Sequence, residues 1–298
     1  MSTPVAAITL EFRSPSRTVR CVRAMLAEGV ARVLVVDNSE DGGESAARLR
    51  EAFVGDARVL VHVNPTNLGF ARGVNGGLAL LREEAWRGRV LLINNDATLV
   101  PGALASLGRT LDLEPRAALA YPEICHAGKS LTLVYYQRAT GLLSPSPLAG
   151  SFPYVSGCCM LLSSQTAASD VFDETFFMYG EDVEFSYRLA RHGRPVAFAA
   201  GAQVDHVGAG ASGLGSVFYE THMVAAHVIL ARRLARRGFE RGIFLSGRVV
   251  FLTLRASLRS LRYRSWVPWR ALSDGWALGQ RALTAVDSNQ SRDHPPAN

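Results

Sequence analysis

The chain of 298 residues is 48% hydrophobic and 19% charged, which allows one large domain or two small ones and excludes a disordered chain. The formal net charge is +6, but residues 221–270 hold eleven arginines against one acid, so the remainder of the chain is net acidic. The four cysteines show no C-x-x-C spacing, which argues against a zinc site or a disulfide framework and favours a reducing, cytosolic environment.

The N-terminal third alternates short apolar runs with helical patterns. It opens M-S-T-P-V-A-A-I-T-L, without a basic start and a full apolar core, so no signal peptide is expected. Apolar runs at residues 5–10, 32–36, 58–63 and 89–93 predict buried strands. Helices are predicted over 17–28 and 45–53, and from a glycine-rich segment to about residue 84. This alternation predicts an α/β fold with a mostly parallel sheet.

The later elements are less regular. The pattern predicts helices over 101–113 and 183–192 and strands over 117–121, 154–162 and 195–204, whereas residues 122–153 resist assignment. Long helices are expected after residue 215. No stretch reaches 18 uninterrupted apolar residues, so no membrane span is predicted. We therefore divide the chain into a domain of residues 1–215, an arginine-rich helical region of residues 216–286 and a disordered tail of residues 287–298.

Polar clusters follow three of the predicted strands, where open α/β sheets bind ligands. D-N-S-E-D begins at Asp37 and Asn38, N-P-T-N-L-G contains Asn67, and N-N-D ends at Asp96. The Asp37 carboxylate is suited to accept from a pyrimidine N3–H or from ribose hydroxyls, and it is equally suited to a simple Asx turn.

The segment N-L-G-F-A-R-G-V-N-G-G, from Asn67 to Gly77, is predicted to open a helix. Backbone N–H groups at such a start can face phosphates. The segment is not G-x-G-x-x-G, which disfavours a dinucleotide site, and a capped, tightly packed helix is the alternative reading.

Two further groups of residues are candidates for chemistry. Asp96 is a candidate ligand for a hard divalent cation, and His206, at the end of another predicted strand and beside the run G-A-G-A-S, is a candidate to complete that site. A lone histidine without metal-ligand spacing is more often structural, which is the alternative for His206. Glu181 and Asp182 precede an amphipathic helix, where acids also complement the helix dipole without any catalytic role.

The order and spacing of four segments resemble a known family. They are V-L-V-V-D-N-S-E-D-G, N-P-T-N-L-G-F-A-R-G-V-N-G-G, V-L-L-I-N-N-D-A and V-S-G-C-C-M-L-L…F-D-E-T-F-F-M-Y-G-E-D-V-E-F-S-Y-R-L-A-R-H-G. Over about residues 5–212 the chain is similar to the inverting family-2 bacterial glycosyltransferases, particularly rhamnosyltransferases and galactofuranosyltransferases of lipopolysaccharide and other surface polysaccharide assembly. The resemblance implies a GT-A fold, which is Rossmann-like, here with a C-terminal helical extension.

The resemblance also implies roles for particular residues. Asp182 would be the catalytic base, with Glu181 orienting the acceptor or its loop, and Asp96 and His206 would hold a Mn²⁺ or Mg²⁺ ion on the diphosphate. The residues implied for nucleotide-sugar binding are Asp37, Asn38, Asn67, Gly69, Arg72, Asn94 and Asn95, and those for the acceptor region are Ser156 and Gly157.

This chain departs from the family pattern at three places. Asn94 stands where the first acid of the metal motif is expected, which leaves more of the diphosphate binding to Asp96 and His206. The first strand ends L-E-F-R instead of a Thr-Tyr-Asn-like sequence, which leaves the nucleobase and donor open, and Glu184 stands where relatives usually carry Asp.

The resulting functional hypothesis is inverting transfer of one sugar, with rhamnose favoured, from a nucleoside diphosphate sugar to a surface glycan or lipid-linked acceptor. A sugar nucleotidyltransferase and an inactive binding or scaffold protein remain alternatives. The arginine-rich residues 216–286 fit equally a peripheral contact with the inner face of the cytoplasmic membrane and a solvated helical bundle or homodimer contact. No nucleic-acid partner is expected.

Overall fold

The computed structural model of the protein describes residues 3–126, 128–206 and 215–293, with side chains up to residue 285. The strands in these residues are β1 (Val5–Glu11), β2 (Arg32–Asp37), β3 (Val59–Val63), β4 (Arg89–Ile93), β5 (Ala97–Leu99), β6 (Leu119–His126), β7 (Lys129–Leu131), β8 (Val134–Gln137), β9 (Leu143–Ser144), β10 (Ser151–Tyr154), β11 (Cys159–Leu162) and β12 (Val196–His206). The helices are α1 (Pro15–Ala27), α2 (Glu44–Ala52), α3 (Gly69–Glu83), α4 (Ala103–Leu113), α5 (Ser164–Ala167), α6 (Glu181–Arg191), α7 (Val217–Arg233), α8 (Gly238–Tyr263) and α9 (Val267–Asp293).

A nine-stranded sheet forms the centre of the fold, in the order β3-β2-β1-β4-β11-β6-β12-β5, with β7 also paired to β6. Six of its strands (β1, β2, β3, β4, β6 and β12) run in one direction, and β5, β7 and β11 run in the other. The predicted α/β fold with a mostly parallel central sheet is therefore confirmed.

Helices cover both faces of this sheet, which explains why its strands are apolar at successive positions. Val33 and Val35 of β2 face a buried cluster that includes α1, α2 and α4. Leu34 and Val36 face the opposite cluster, which includes α3, α5 and α6. Because successive side chains of a strand point to opposite faces, the run R-V-L-V-V serves both layers.

The single strand predicted over residues 154–162 is wrong. The chain forms β10, which ends at Tyr154, and β11, which begins at Cys159. Between them the N–H groups of Val155 and Gly157 donate to the side chains of Ser186 and Asp182 on α6. The backbone therefore leaves the sheet at this point to bond with a helix.

The unassigned segment 122–153 contains regular structure. It includes most of β6, all of β7, β8 and β9, and the start of β10. Strands β8, β9 and β10 form a separate small sheet in the order β10-β8-β9. These strands have two to four residues, too short for an alternating pattern to be recognised in the sequence.

The C-terminal helices pack against the small sheet and α6 through a third buried cluster. Helix α9 approaches α7 closely because it presents two glycines: a Cβ at Gly275 would lie 2.4 Å from the carbonyl oxygen of Thr221, and one at Gly279 would lie 2.9 Å from that of Ala225. Among the described residues, none of these helices combines the length and the apolar character needed to span a bilayer.

The C-terminal tail is helical in its first part. Helix α9 extends to Asp293, so residues 287–293, which we expected within a disordered tail, are helical instead. Residues 207–214, with the run G-A-G-A-S, and residues 294–298 of the predicted tail lie outside the described part of the chain. The domain division at residue 215 stays a prediction.

Candidate active site at the carboxyl edge of the sheet

Polar residues gather at one edge of the central sheet. Strand β1 ends at Glu11, β2 at Asp37 and β12 at His206, and β4 is followed directly by Asn94. These four strands run in the same direction, so their carboxyl ends meet at a common edge.

Asp37 forms the Asx turn considered for it and leaves its second carboxylate oxygen without a partner in the described part of the chain. One carboxylate oxygen, Oδ1, accepts from the backbone N–H of Ser39 at 2.9 Å, which is the Asx turn. The other, Oδ2, is buried and has no hydrogen-bond partner among the described residues. A buried carboxylate oxygen without a donor is unfavourable unless a ligand supplies one. The nucleoside contact predicted for Asp37 therefore has an available acceptor.

Asn38 joins the end of β2 to the loop before α3. Its amide nitrogen donates to the carbonyl oxygen of Gly69 at 3.0 Å, and its Oδ1 accepts from the side chain of Asn64 at 2.7 Å. These bonds give Asn38 a structural role at the edge, and its contact with a nucleotide sugar stays a prediction.

The start of α3 is tightly packed and hydrogen-bonded to its surroundings. The side chain of Asn67 accepts from the N–H of Gly69 at 2.9 Å, and the N–H of Phe70 donates to the carbonyl oxygen of Phe177 at 2.7 Å. Gly69 has φ +78°, and a Cβ there would lie only 2.3 Å from that carbonyl oxygen. These two N–H groups are therefore not available to a phosphate, and roles of Asn67 and Gly69 in nucleotide-sugar binding stay predictions.

Arg72 stands apart from the other candidates. Its exposed guanidinium lies 3.6 Å from the carboxylate of Glu174, an exposed pair of little energetic weight. Within the described part of the chain, Arg72 contacts no other predicted site residue, so its role in donor binding stays a prediction.

The unusual L-E-F-R segment has a structural explanation. Glu11 is fully buried and accepts from the N–H of Ser14 and the hydroxyl of Thr18, so it caps α1. Asn95 donates to Ser14 and Thr18 at 3.0 and 2.9 Å, which ties the end of β4 to the same helix start. Burial, only partly offset by these hydrogen bonds, raises the pKa of Glu11.

Asp96 and His206 are brought together by strand pairing. Ala97 of β5 lies opposite His206 in the antiparallel β5–β12 pair, and Oδ1 of Asp96 lies 3.1 Å from Nε2 of His206. Burial by itself would raise the pKa of Asp96, but the interaction with His206, together with a backbone hydrogen bond and the charge of Arg17, outweighs burial and lowers that pKa. Asp96 is therefore an ionised, partly buried ligand candidate.

A carboxylate and an imidazole are both possible ligands of a divalent cation such as Mn²⁺. The 3.1 Å between the Asp96 oxygen and the His206 nitrogen is an ordinary hydrogen-bonding distance, so a cation would take the place of this contact, and the cation site stays a prediction. In the described part of the chain no group of three or more potential ligands is gathered. Asn94 contributes its backbone to the edge, with its N–H donating to the carbonyl of Cys158 at 2.9 Å.

Asp182 is held by three donors. Its Oδ2 accepts from the hydroxyl of Tyr154 at 2.8 Å and from the N–H of Gly157 at 2.9 Å, and its Oδ1 accepts from the N–H of Val183 at 2.8 Å. Tyr154 was not among the predicted site residues. Its position two residues before Ser156, in the predicted acceptor region, is the feature of the sequence that could have indicated it. The hydroxyl of Ser156 accepts from the N–H of Cys158 at 3.3 Å, which shapes this turn.

Glu181 differs from its neighbour although both open α6. It is 5% exposed, and its Oε2 is buried without a hydrogen-bond partner in the residues described. Burial and the adjacent Asp182 charge raise the pKa of Glu181 well above its usual value. Burial also raises the pKa of Asp182, against the lowering effect of its hydrogen bonds, although a position at a helix start favours the ionised form.

Glu181→Gln is expected to stabilise the fold at about pH 8 and to have little effect at about pH 4, because the unfolded glutamate ionises at a lower pH than the folded one. In the wild type, Glu181 therefore lowers the free energy of unfolding as pH rises from the ordinary glutamate pKa towards the raised one. The loss is about 1.4 kcal/mol for each unit of pKa difference. Urea unfolding at both pH values measures this difference. Glu51→Gln, at an exposed position of a helix, is the control. An equal change in the free energy of unfolding by Glu181→Gln at both pH values would contradict the expectation.

The three separated candidates Asp96, His206 and Asp182 converge on one region. Cys158 accepts from the N–H of Asn94, two residues from Asp96, while the preceding residue, Gly157, donates to Asp182. Burial raises the pKa of the Cys158 thiol, and the nearby charges of Asp96 and Asp182 both add to this effect. The edge therefore brings the predicted catalytic base near the two predicted cation ligands.

Comparison with known proteins identifies the family of this chain. A family model described as "Glycosyltransferase like family 2" matches residues 4–233, which adds α7 to the region recognised from the motifs. The N-acetylglucosaminyl-diphospho-decaprenol L-rhamnosyltransferase of Mycobacterium tuberculosis is 28% identical over 266 residues, covering 77% of this chain and 84% of that protein.

Solved structures share the fold at low identity. GalNAc-T7 with UDP, GalNAc and Mn²⁺ has a TM-score of 0.60 at 12% identity, over 78% of this chain but only 48% of that one. S. aureus TarS with UDP-GlcNAc has a TM-score of 0.55 at 15% identity, over 84% and 71% of the two chains. The Pyrobaculum calidifontis mannosyltransferase PcManGT with GDP-Man and Mn²⁺ has a TM-score of 0.55 at 13% identity, over 99% and 82%.

The family match covers most of the chain, and the fold is that of the GT-A glycosyltransferases. The predicted resemblance is confirmed: the protein belongs to the family-2 glycosyltransferases, which transfer a sugar from a nucleotide sugar, and it resembles the rhamnosyltransferases among them.

Proposed function

We propose that the protein is an inverting, metal-dependent glycosyltransferase that moves rhamnose from a nucleoside diphosphate sugar to a hydroxyl of a lipid-linked or surface-glycan acceptor. The observation that carries the proposal is the arrangement of Asp182, which accepts from Gly157 while the next residue, Cys158, is bonded to the segment that carries Asp96. Asp96 in turn contacts His206.

In this proposal Asp182 removes the proton of the acceptor hydroxyl as that oxygen attacks the anomeric carbon. Its raised pKa favours this role because a more basic carboxylate holds the transferred proton better. Tyr154 and Gly157 fix the orientation of the carboxylate, and a neutral Glu181 beside it avoids repulsion between two charges. Inversion follows when the base and the leaving group lie on opposite sides of that carbon.

On the donor side, Oδ2 of Asp37 would accept from the nucleoside, and Asp96 and His206 would hold a divalent cation. When bound, the cation supplies positive charge that offsets the charge developing on the departing diphosphate. The structural relatives crystallised with Mn²⁺, GalNAc-T7 and PcManGT, support this choice of cofactor.

The choice of rhamnose and of a lipid-linked acceptor rests on the mycobacterial relative, whose name states both. A diphosphate-linked polyprenol lies in a membrane, so the proposal includes action at the inner membrane surface through residues 216–286. The family match gives no support to the nucleotidyltransferase alternative. The scaffold alternative depended on Asn94 and on L-E-F-R, and Glu11 of that segment has a structural role as the cap of α1.

A donor panel tests the proposed function. The purified full chain is incubated with Mn²⁺ or Mg²⁺, a lipid-linked N-acetylglucosaminyl diphosphate, and dTDP-rhamnose, UDP-galactofuranose, UDP-GlcNAc or GDP-mannose in turn. We expect cation-dependent product with dTDP-rhamnose, and a glycosidic bond of opposite anomeric configuration to the donor by NMR. Retained configuration, or transfer from a different donor alone, would contradict the proposal.

A further inference from the structure

The outward face of α8 carries an unusual run of exposed apolar side chains. We name it the α8 stripe, and its members, between 56% and 77% exposed, are Phe239, Ile243, Val250, Leu254, Leu258 and Leu261. They recur at intervals of three, four or seven residues, which places them on one side of the helix.

The opposite side of α8 is already buried. Phe244, Arg248, Leu252 and Ala256 are the buried residues of this helix, facing the rest of the protein. The stripe is therefore a second apolar face, which no residue in the described part of the chain covers. A contiguous apolar surface of this kind on a protein marks a site of association with a partner or a membrane.

The stripe continues past the end of α8 into a cleft between α8 and α9. This cleft, of about 420 Å³, is lined by Leu261, Arg264, Trp266 and Trp269 together with three serines. Trp266 is 81% exposed. Tryptophan rings pair an apolar body with a polar N–H, which suits them to the boundary between lipid tails and headgroups.

The exposed arginines indicate that the partner of the α8 stripe carries negative charge. Much of the basic run is engaged internally: Arg255 and Arg259 pair with the buried Glu220, at 2.5 and 2.6 Å. The exposed arginines on α8 and its caps lie towards its two ends, and they are Arg237, Arg241, Arg262 and Arg264. Positive charge at both ends of an apolar stripe complements an anionic surface and opposes the approach of a second, identical copy.

We propose that the α8 stripe, with Trp266 and Trp269, docks the protein onto an anionic lipid bilayer, with α8 lying along the interface. Apolar side chains enter the headgroup boundary while the arginines at the helix ends contact lipid phosphates. This surface is distinct from the site at the sheet edge, so docking does not depend on the identity of the sugar.

Vesicle co-sedimentation of the full chain tests the inference. Leu254→Gln/Leu258→Gln changes two exposed stripe residues, and Val54→Gln/Leu113→Gln changes two exposed apolar residues elsewhere as the matched control. With phosphatidylcholine vesicles containing about 30% phosphatidylglycerol, we expect the stripe variant to bind at least about ten-fold more weakly than the wild type and the control. Pure phosphatidylcholine should bind all three weakly.

Light scattering and a water-soluble acceptor distinguish the other outcomes. We expect the same mass for both variants and unchanged transfer to the soluble acceptor by the stripe variant. Equal vesicle binding by all three proteins would overturn the inference. So would a wild-type dimer that the stripe variant alone breaks, because the stripe would then be a contact between copies. Failure of every donor would count against the proposed function and leave vesicle binding interpretable.

Discussion

Asp182→Asn is expected to lower the rate of sugar transfer by about 10²- to 10⁴-fold, the usual contribution of a general base. Asparagine keeps the shape and can still accept from Tyr154 and Gly157 through its carbonyl oxygen, but it cannot take up the acceptor proton. Donor affinity, measured by calorimetry with Mn²⁺, should stay within a few-fold of the wild type because Asp182 is assigned to the acceptor side.

Glu184 provides a control within the same helical turn. Its carboxylate pairs with Arg188 at 3.2 Å and takes no part in the proposed chemistry. Glu184→Gln should therefore retain transfer within a few-fold even if it lowers the melting temperature. Near-normal turnover by Asp182→Asn, or an equal loss in both variants, would remove Asp182 as the base.

The pH dependence of kcat/KM provides a second check on Asp182. Because burial raises the pKa of Asp182, the acidic limb of the profile should lie above the ordinary aspartate pKa. The Tyr154 hydroxyl lowers that pKa by hydrogen bonding to the carboxylate, so Tyr154→Phe should move the acidic limb to higher pH. A limb that stays in place would mean that the titrating group is not Asp182.

Asp96→Asn is expected to weaken both cation binding and catalysis, with a fall in kcat/KM of about a hundred-fold or more, since a cation on a leaving diphosphate stabilises the transition state by several kcal/mol. The Asp96 carboxylate is one of the two proposed ligands of the ion and the only charged one of them when His206 is neutral, so much of the affinity should depend on it. Mn²⁺ binding in the presence of a nucleoside diphosphate, followed by electron paramagnetic resonance, measures the loss without any turnover.

Asp205→Asn is the matched control for this change. Asp205 precedes His206 on β12, and its side chain accepts from Gln203 at 3.2 Å at the surface. We expect Mn²⁺ binding by this variant to equal that of the wild type. Full Mn²⁺ affinity in Asp96→Asn would show that the cation is held elsewhere, and with it the assignment of His206 would fail.

The parts of the fold that were predicted correctly depend on local patterns. The run R-V-L-V-V and the helical spacing after it are read within a few residues, and the predicted strand at residues 89–93 coincides with β4. The parts that were missed depend on partners that are distant in the sequence. Between β10 and β11 the N–H groups of Val155 and Gly157 donate to side chains of α6, and the local sequence does not indicate these partners.

The sequence by itself determined the alternation of strands and helices, and the polar residues that follow the strands, because apolar periodicity and turn chemistry act over short distances. Only the tertiary structure decided the environment of each residue. Asp96 contacts His206 because β5 pairs with β12, although more than a hundred residues separate the two side chains in the sequence. Tyr154, in the small sheet, donates a hydrogen bond to Asp182 on α6. Burial then raised the pKa of Asp182 where the helix position alone favoured lowering it, because desolvation depends on everything packed around a group. The same dependence on packing turned Arg255 and Arg259 inward to Glu220 and left the α8 stripe exposed.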